Sequence, residues 1–360
     1  MIESQNFPTL SVIVPAYNPS IDLFESLIDS ILGQDFGSFE VIIIDDGSDA
    51  SIRNQIDELA NRDVRLRVLH VPHGGVSAAR NKGLQEVRGK YVTFADADDE
   101  VAPGFFSSAI SLLEESGADA VFGGKTQVYK DGVVNRVGVD CPRVMFFEGA
   151  SLDLLRKFAV GMEPPKELRC YAGFSIAALH AKVFRISAIG DNRFNERQTI
   201  GEDSFFNALV IGSCSRVGIT SDIWYHYFQR SGSAVHGDAA SINSSMTNIE
   251  LHAHAARDCG WNMGAVGVRC AFVAITILGQ AACVTSFCSL VGIIANAMNT
   301  TRIQIFRLAV TNEFYLSRAR KASILLLKIG NPLLLAAWLK LRAWKNQCAG
   351  KQVLSGPYAS

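Results

Sequence analysis

Through the first hundred residues, short β-branched apolar runs alternate with segments of helical periodicity. Leu10-Ser11-Val12-Ile13-Val14-Pro15 reads as a buried parallel strand stopped by proline. Leu23, Leu27, Ile28 and Ile31 then share one face of a helix predicted over 22–32. Residues 39–44 repeat the strand signature and end in Asp45-Asp46-Gly47-Ser48. A polar helix is predicted over 51–61, a strand over 66–71, a helix over 76–87 and a strand over 91–95. Strands alternating with helices of about ten residues predict an α/β fold, a parallel sheet flanked by helices with ligands at the carboxyl ends of its strands. Beyond residue 120 the alternation weakens, and Glu163-Pro164-Pro165 reads as an exposed connection. Order returns from Gly201-Glu202-Asp203 to Trp224-Tyr225-His226-Tyr227, and from about 245 the chain reads as helical. The absence of a fixed-period repeat excludes a solenoid.

The acidic clusters sit where these strands end. Phe94-Ala95-Asp96-Ala97-Asp98-Asp99-Glu100 puts the carboxylates of Asp96, Asp98 and Asp99 together, and their repulsion is relieved by a cation. Hard oxygen ligands suit Mg²⁺ or Mn²⁺, and a diphosphate can complete the octahedron. A solvated acidic turn capping the next helix has the same residues. Asp45-Asp46, one βαβ step earlier, opens into the same crevice and offers acceptors for a nucleotide base and ribose. His73-Gly74-Gly75 precedes a helix start whose free N–H groups, with Arg80 close by, suit a phosphate, although no Walker loop is present.

The segments LSVIVPAYN (10–18), VIIIDDGS (41–48), GVSAARNKG (75–83), FADADD (94–99) and GEDSF (201–205) resemble, in this order, family 2 glycosyltransferases of the GT-A fold. The resemblance spans about residues 8–236. It implies a GT-A nucleotide-diphospho-sugar transferase fold, Rossmann-like with a mixed sheet flanked by helices. It further implies a nucleotide-sugar donor, a UDP-sugar foremost, a divalent Mn or Mg ion, and inversion at the anomeric carbon. By the same resemblance Pro15, Ala16 and Tyr17 line the base pocket, and Asp45 or Asp46 accepts from the base. Arg80 and Asp96 lie near the donor, Asp98 with Asp96 holds the metal, and Asp203 is the catalytic base, preceded by Glu202. Arg230, within Gln229-Arg230-Ser231-Gly232-Ser233, stands in place of the family's basic closing loop. His226 and His236 lie where some relatives supply a metal-ligating histidine, and His73 stands where members often carry Asn. The Gln-x-x-Arg-Trp motif of processive synthases is missing, so addition of one sugar is expected. The acceptor is expected to be a saccharide or lipid-linked glycan, as in bacterial surface or exopolysaccharide synthesis. Two alternatives share the fold: a nucleotide-sugar-binding regulator without turnover, and a nucleotidyltransferase. The latter opens with a Gly-rich loop where this chain has Pro15-Ala16-Tyr17-Asn18.

Charge and composition extend this picture at the C-terminal end. The net charge of -1 over 360 residues argues against a generally basic nucleic-acid binder. It also hides an asymmetry, because residues 301–360 hold ten Lys or Arg against one acid, Glu313, a net of +9, leaving -10 for residues 1–300. Eight cysteines without a C-x-x-C pair fit a reducing compartment, and the N-terminus lacks a secretory pattern. Between Arg269 and Arg302 lie 32 uncharged residues, long enough for a membrane span but rich in Gln, Thr, Ser and small residues, which favours a buried helical hairpin. Residues 323–345 combine leucines, Trp338, Trp344, Lys340, Arg342 and Lys345, the make-up of an interfacial helix attracted to anionic lipid. The expected organisation is a catalytic domain over 8–240 and a basic helical extension over 245–350, in the cytoplasm at the inner membrane face.

Overall fold

The computed structural model describes residues 7–128, 134–137, 144–159, 176, 178–198, 201–228, 239–258, 263–309 and 318–348. Strands β1 (Leu10–Ala16), β2 (Phe39–Asp45), β3 (Leu66–His70) and β4 (Tyr91–Phe94) alternate with helices α1 (Ile21–Leu32), α2 (Ala50–Ala60) and α3 (Val76–Glu86). The four strands are parallel in the order β3-β2-β1-β4. Every side chain of β1 and β2 is buried because helices cover both sheet faces, which is why these runs are continuously apolar. Val12, Val14, Val41 and Ile43 pack with Phe24, Leu27, Ile28 and Ile31 of α1. Ile42 and Ile44 alternate onto the opposite face, against Ala79 of α3. Each such buried Val or Ile contributes about 1.5–3 kcal/mol, and β1 and β2 are the middle pair of the parallel part of the sheet. Helix α3 lies so close to β1 that a Cβ at Gly83 would come 2.5 Å from Ile13 Cγ2.

The chain continues through β5 (Glu100–Val101), α4 (Phe105–Ser116), β6 (Ala120–Val128), β7 (Val134–Val137), β8 (Val144–Glu148), α5 (Gly149–Ala159), β9 (Lys182–Arg185), α6 (Ile186–Ile189), α7 (Glu202–Ser213) and β10 (Arg216–Phe228). Beyond β4 the sheet runs β9-β6-β10-β5, with β9 antiparallel to both neighbours. The sheet is therefore mixed. This is the mixed sheet that the family resemblance implies; the parallel run read from the first hundred residues ends at β4, and the helix-strand alternation lapses after β6.

The chain divides into two compact units, one within 1–156, 173–196 and 202–230, the other within 157–172, 197–201 and 231–360. The second unit is helical: α8 (Ala239–Asp258), α9 (Met263–Val284), α10 (Phe287–Ala297), α11 (Thr300–Arg307), α12 (Arg318–Ile329) and α13 (Pro332–Cys348). Its core joins Met246, Ile249, Ala274, Leu278, Leu290, Phe306, Leu327 and Leu335. The long uncharged run forms most of α9 and all of α10. The window Val266–Cys283 is long and apolar enough to cross a membrane, yet 75% of it is buried within the molecule, as in a core helix. Gly267 serves packing, since a Cβ there would fall 2.5 Å from the Ala309 amide nitrogen. Ser286 and Asn299 cap α10 and α11 through their side chains. Several tail cations bind inside the unit: Arg302 pairs with Glu250 at 2.6 Å, Lys340 donates to the Thr285 carbonyl, and Arg342 donates to Ser323.

Candidate functional site

The ends of β1 and β2 are braced against each other. After the buried Pro15 and Ala16 comes Tyr17, exposed and stacked on His73 with ring centroids 4.1 Å apart. Asn18, at φ 43°, donates its amide to Ser48 Oγ at 2.8 Å and accepts from the Asp49 amide at 2.9 Å. Asp45 is fully buried and accepts from the Ser48 amide, from His70 Nδ1 at 2.7 Å and from Arg53. Burial works to raise its pKa, but the hydrogen bonds from Ser48 and His70 prevail and hold it below the ordinary carboxylate range. The Asp46 carboxylate instead accepts the amides of Gly74 at 2.7 Å and Gly75 at 2.9 Å. Gly47, at φ +78°, lets this corner close, since a Cβ there would meet the His73 amide nitrogen at 2.8 Å. The two neighbouring aspartates therefore have different surroundings, Asp45 tied to β3 and α2, Asp46 to the glycines before α3.

Arg80, on α3, joins the acidic segments. Its guanidinium is almost fully buried and reaches Asp203 at 2.7 Å, Asp96 at 2.9 Å and Glu202 at 3.4 Å. Glu202 and Asp203 occupy the first turn of α7, where the free amides favour negative charge. Burial, followed by repulsion from Asp203, pushes Glu202 up to about 7. Asp203 is also raised, by burial first, with Arg80 opposing. Both acids of this motif are thus held above the ordinary carboxylate range, the direction that suits a general base.

A second cluster lies at the end of β4. The ligand atoms of Asp96, Asp99 and His180 fall within 4.8 Å of one another. Asp99 is buried, accepts the Phe228 amide on Oδ1 at 3.0 Å, and keeps Oδ2 buried without a hydrogen-bond partner among the described residues. Burial, then Asp96, pushes its pKa up to about 8. His180 stacks on Tyr225 with centroids 4.6 Å apart, and its Nε2 is likewise buried without a partner. Burial, then Lys125, holds its pKa well below the ordinary value, so the ring is neutral at pH 7 and its lone pair is available to a metal. Two carboxylates and a neutral imidazole suit Mn²⁺ or Mg²⁺, the imidazole favouring Mn²⁺. Lys125 and Lys182 lie near this cluster, pushed down to about 8 and about 7 mainly by burial.

The site residues expected from the sequence are thus placed as follows. Arg80, Asp96, Glu202 and Asp203 come together. Asp98 is exposed, beside the cluster but outside the Asp96-Asp99-His180 group. His226 lies on β10 with Nδ1 2.6 Å from Thr126 Oγ1, also outside that group. Arg230 and His236 lie outside the described residues. Asp99 was visible as one of three clustered carboxylates, though burial alone distinguishes it from Asp98. His180 had no motif around it, and only the pairing of β9 beside β4 brings it near Asp96.

Residues 11–166 match the model of glycosyl transferase family 2. This segment is a family 2 glycosyltransferase domain. The chain is 38% identical over 114 residues to the uncharacterized glycosyltransferase EpsJ of Bacillus subtilis (strain 168), covering 32% of this chain and 33% of EpsJ. It is 27% identical over 253 residues to the minor teichoic acid biosynthesis protein GgaB of the same organism, covering 67% of this chain and 25% of GgaB. The aligned part thus spans about a third or less of these relatives. Among solved structures, S. aureus TarS 1-349 in complex with UDP-GlcNAc superposes with a TM-score of 0.63 at 17% identity, covering 96% of this chain and 93% of that one. The family 2 domain therefore has the GT-A fold, followed by C-terminal helices.

Proposed function

We propose that this family 2 glycosyltransferase moves one sugar, with inversion, from a UDP-sugar to a saccharide or lipid-linked glycan acceptor in bacterial surface-polysaccharide synthesis. The observation that carries the reading is the single buried Arg80 shared by Asp96, Glu202 and Asp203. It brings the Glu202-Asp203 pair, both raised by burial, next to the acidic end of β4, where a donor diphosphate would bind. The family match, the teichoic acid biosynthesis in the name of GgaB and the UDP-GlcNAc complex of TarS support the donor class and setting.

Asp203 takes the acceptor hydroxyl proton as that oxygen attacks the anomeric carbon from the face opposite the leaving nucleoside diphosphate. Arg80 fixes the orientation of that carboxylate, and burial keeps it basic enough to accept the proton. Pro15, Ala16 and Tyr17 form the base pocket, and the exposed Tyr17 ring offers a stacking face. Asp46 Oδ1 holds the Gly74 amide and keeps a second lone pair for the base imide, while Oδ2 faces the Gly75 amide and His73 Nδ1. A divalent ion held by Asp96, Asp99 and His180, with Asp98 adjacent, would offset charge on the departing diphosphate. The test is Asp203→Asn assayed with a panel of UDP-sugars. Transfer and slow donor hydrolysis should fall by about 10²–10⁴-fold while the donor still raises the melting temperature. Unchanged turnover in this variant would exclude Asp203 as the base.

A further inference from the structure

We infer that the outward face of α12 and α13 docks on the surface of an anionic lipid bilayer. Among the described side chains of α13, the exposed positions are Leu333, Leu334, Ala337, Leu341 and Trp344, with Leu333 58% and Trp344 60% accessible. Leu334, Ala337, Leu341 and Trp344 are spaced three or four apart, so they form one stripe along the helix. Leu335, Ala336 and Leu339 occupy the opposite side and enter the core. A helix on the surface of a soluble domain turns charged residues outward, and this one turns leucine and tryptophan outward. Leu325 and Ile329 are also exposed on α12, which precedes the turn at Gly330.

The charge selects the occupant. Arg307, Arg318 and Lys321 are exposed, and between residues 259 and 360 the sequence holds one acid, Glu313. The internal bonds of Lys340 and Arg342 go to a neutral carbonyl and a hydroxyl, so they leave the positive charge uncompensated. Two copies meeting through this same face would bring cation against cation. An anionic bilayer instead offers an apolar layer for Leu and Trp beneath a sheet of negative charge, and attraction grows with each cation near it. The docking face belongs to the helical unit and does not depend on the transferase reading.

The experiment uses the full chain with sedimenting vesicles of phosphatidylcholine alone or mixed with phosphatidylglycerol. Binding should be strong only to the mixed vesicles and should weaken at about 0.5 M salt. The triple variant Leu334→Asp, Leu341→Asp, Trp344→Asp should lose binding about tenfold or more while keeping its melting temperature, because all three side chains are exposed. Arg318→Glu with Lys321→Glu should remove the preference for anionic lipid. Three outcomes overturn the inference: no binding of the wild-type chain to mixed vesicles, binding by the triple variant equal to wild type, or a vesicle-free dimer that the triple variant dissociates. Donor hydrolysis measured without vesicles reports on the transferase reading separately.

Discussion

Arg80→Met removes one cation from three carboxylates while keeping most of the side-chain volume. The guanidinium lies 2.7, 2.9 and 3.4 Å from Asp203, Asp96 and Glu202 and is nearly inaccessible to water. Breaking a buried ion pair by deleting one partner costs about 3–5 kcal/mol, because the remaining charge is left without compensation. At about 2–4 °C per kcal/mol for a unit of this size, the melting temperature should fall by about 6–20 °C. The carboxylates can escape part of this cost by binding protons, and that fixes the pH dependence. Glu202 already has a folded pKa of about 7, above its ordinary 4.5, so the stability linked to its protonated form is full below about 4.5 and is lost as pH rises through about 7. Without Arg80, Glu202 and Asp203 move higher still. The deficit of the variant should therefore be small near pH 5 and largest near pH 8, as read by thermal melts of wild type and variant across that range. The acidic limb of the activity profile should move upward with it. A deficit equal at both ends, or no loss at pH 8, would refute the idea that Arg80 holds these acids charged.

Asp99→Asn and His180→Ala should abolish thermal stabilisation by Mn²⁺, whereas His226→Ala should retain it. In wild type that stabilisation should increase with pH through about 8, since the metal displaces the proton on Asp99; stabilisation independent of pH would separate Asp99 from the metal. Gly123→Ala would place a Cβ 2.4 Å from the Trp224 ring. The denaturation midpoint should drop by the equivalent of about 1–3 kcal/mol with an unchanged slope.

The first four strands and three helices were legible in the sequence because both sheet faces are covered, so burial is written as unbroken apolar runs with the Asp45-Asp46-Gly47 corner as punctuation; Pro15 does not stop β1, which stays paired with β2 through Ala16. The antiparallel insertion of β9 was not legible from periodicity, because Lys182-Val183-Phe184-Arg185 is short and carries a buried lysine. The site divides in the same way. Asp96, Arg80 and Asp203 belong to local motifs. His180 becomes relevant only through long-range strand pairing, and Asp98 and Asp99 look alike in sequence while one is exposed and the other buried. In the tail, composition revealed the excess of cations but not that Lys340 and Arg342 also tie helices together.

The brace between the β1 and β2 ends has a kinetic consequence. Asn18, Ser48 and Asp49 lock one side, and Asp46 with the amides of Gly74 and Gly75 locks the other. The ordering entropy of this corner is therefore spent when the chain folds and not when the donor arrives. A nucleotide meeting such a surface encounters a finished mould, so capture should be one bimolecular step whose observed rate climbs in a straight line with donor concentration.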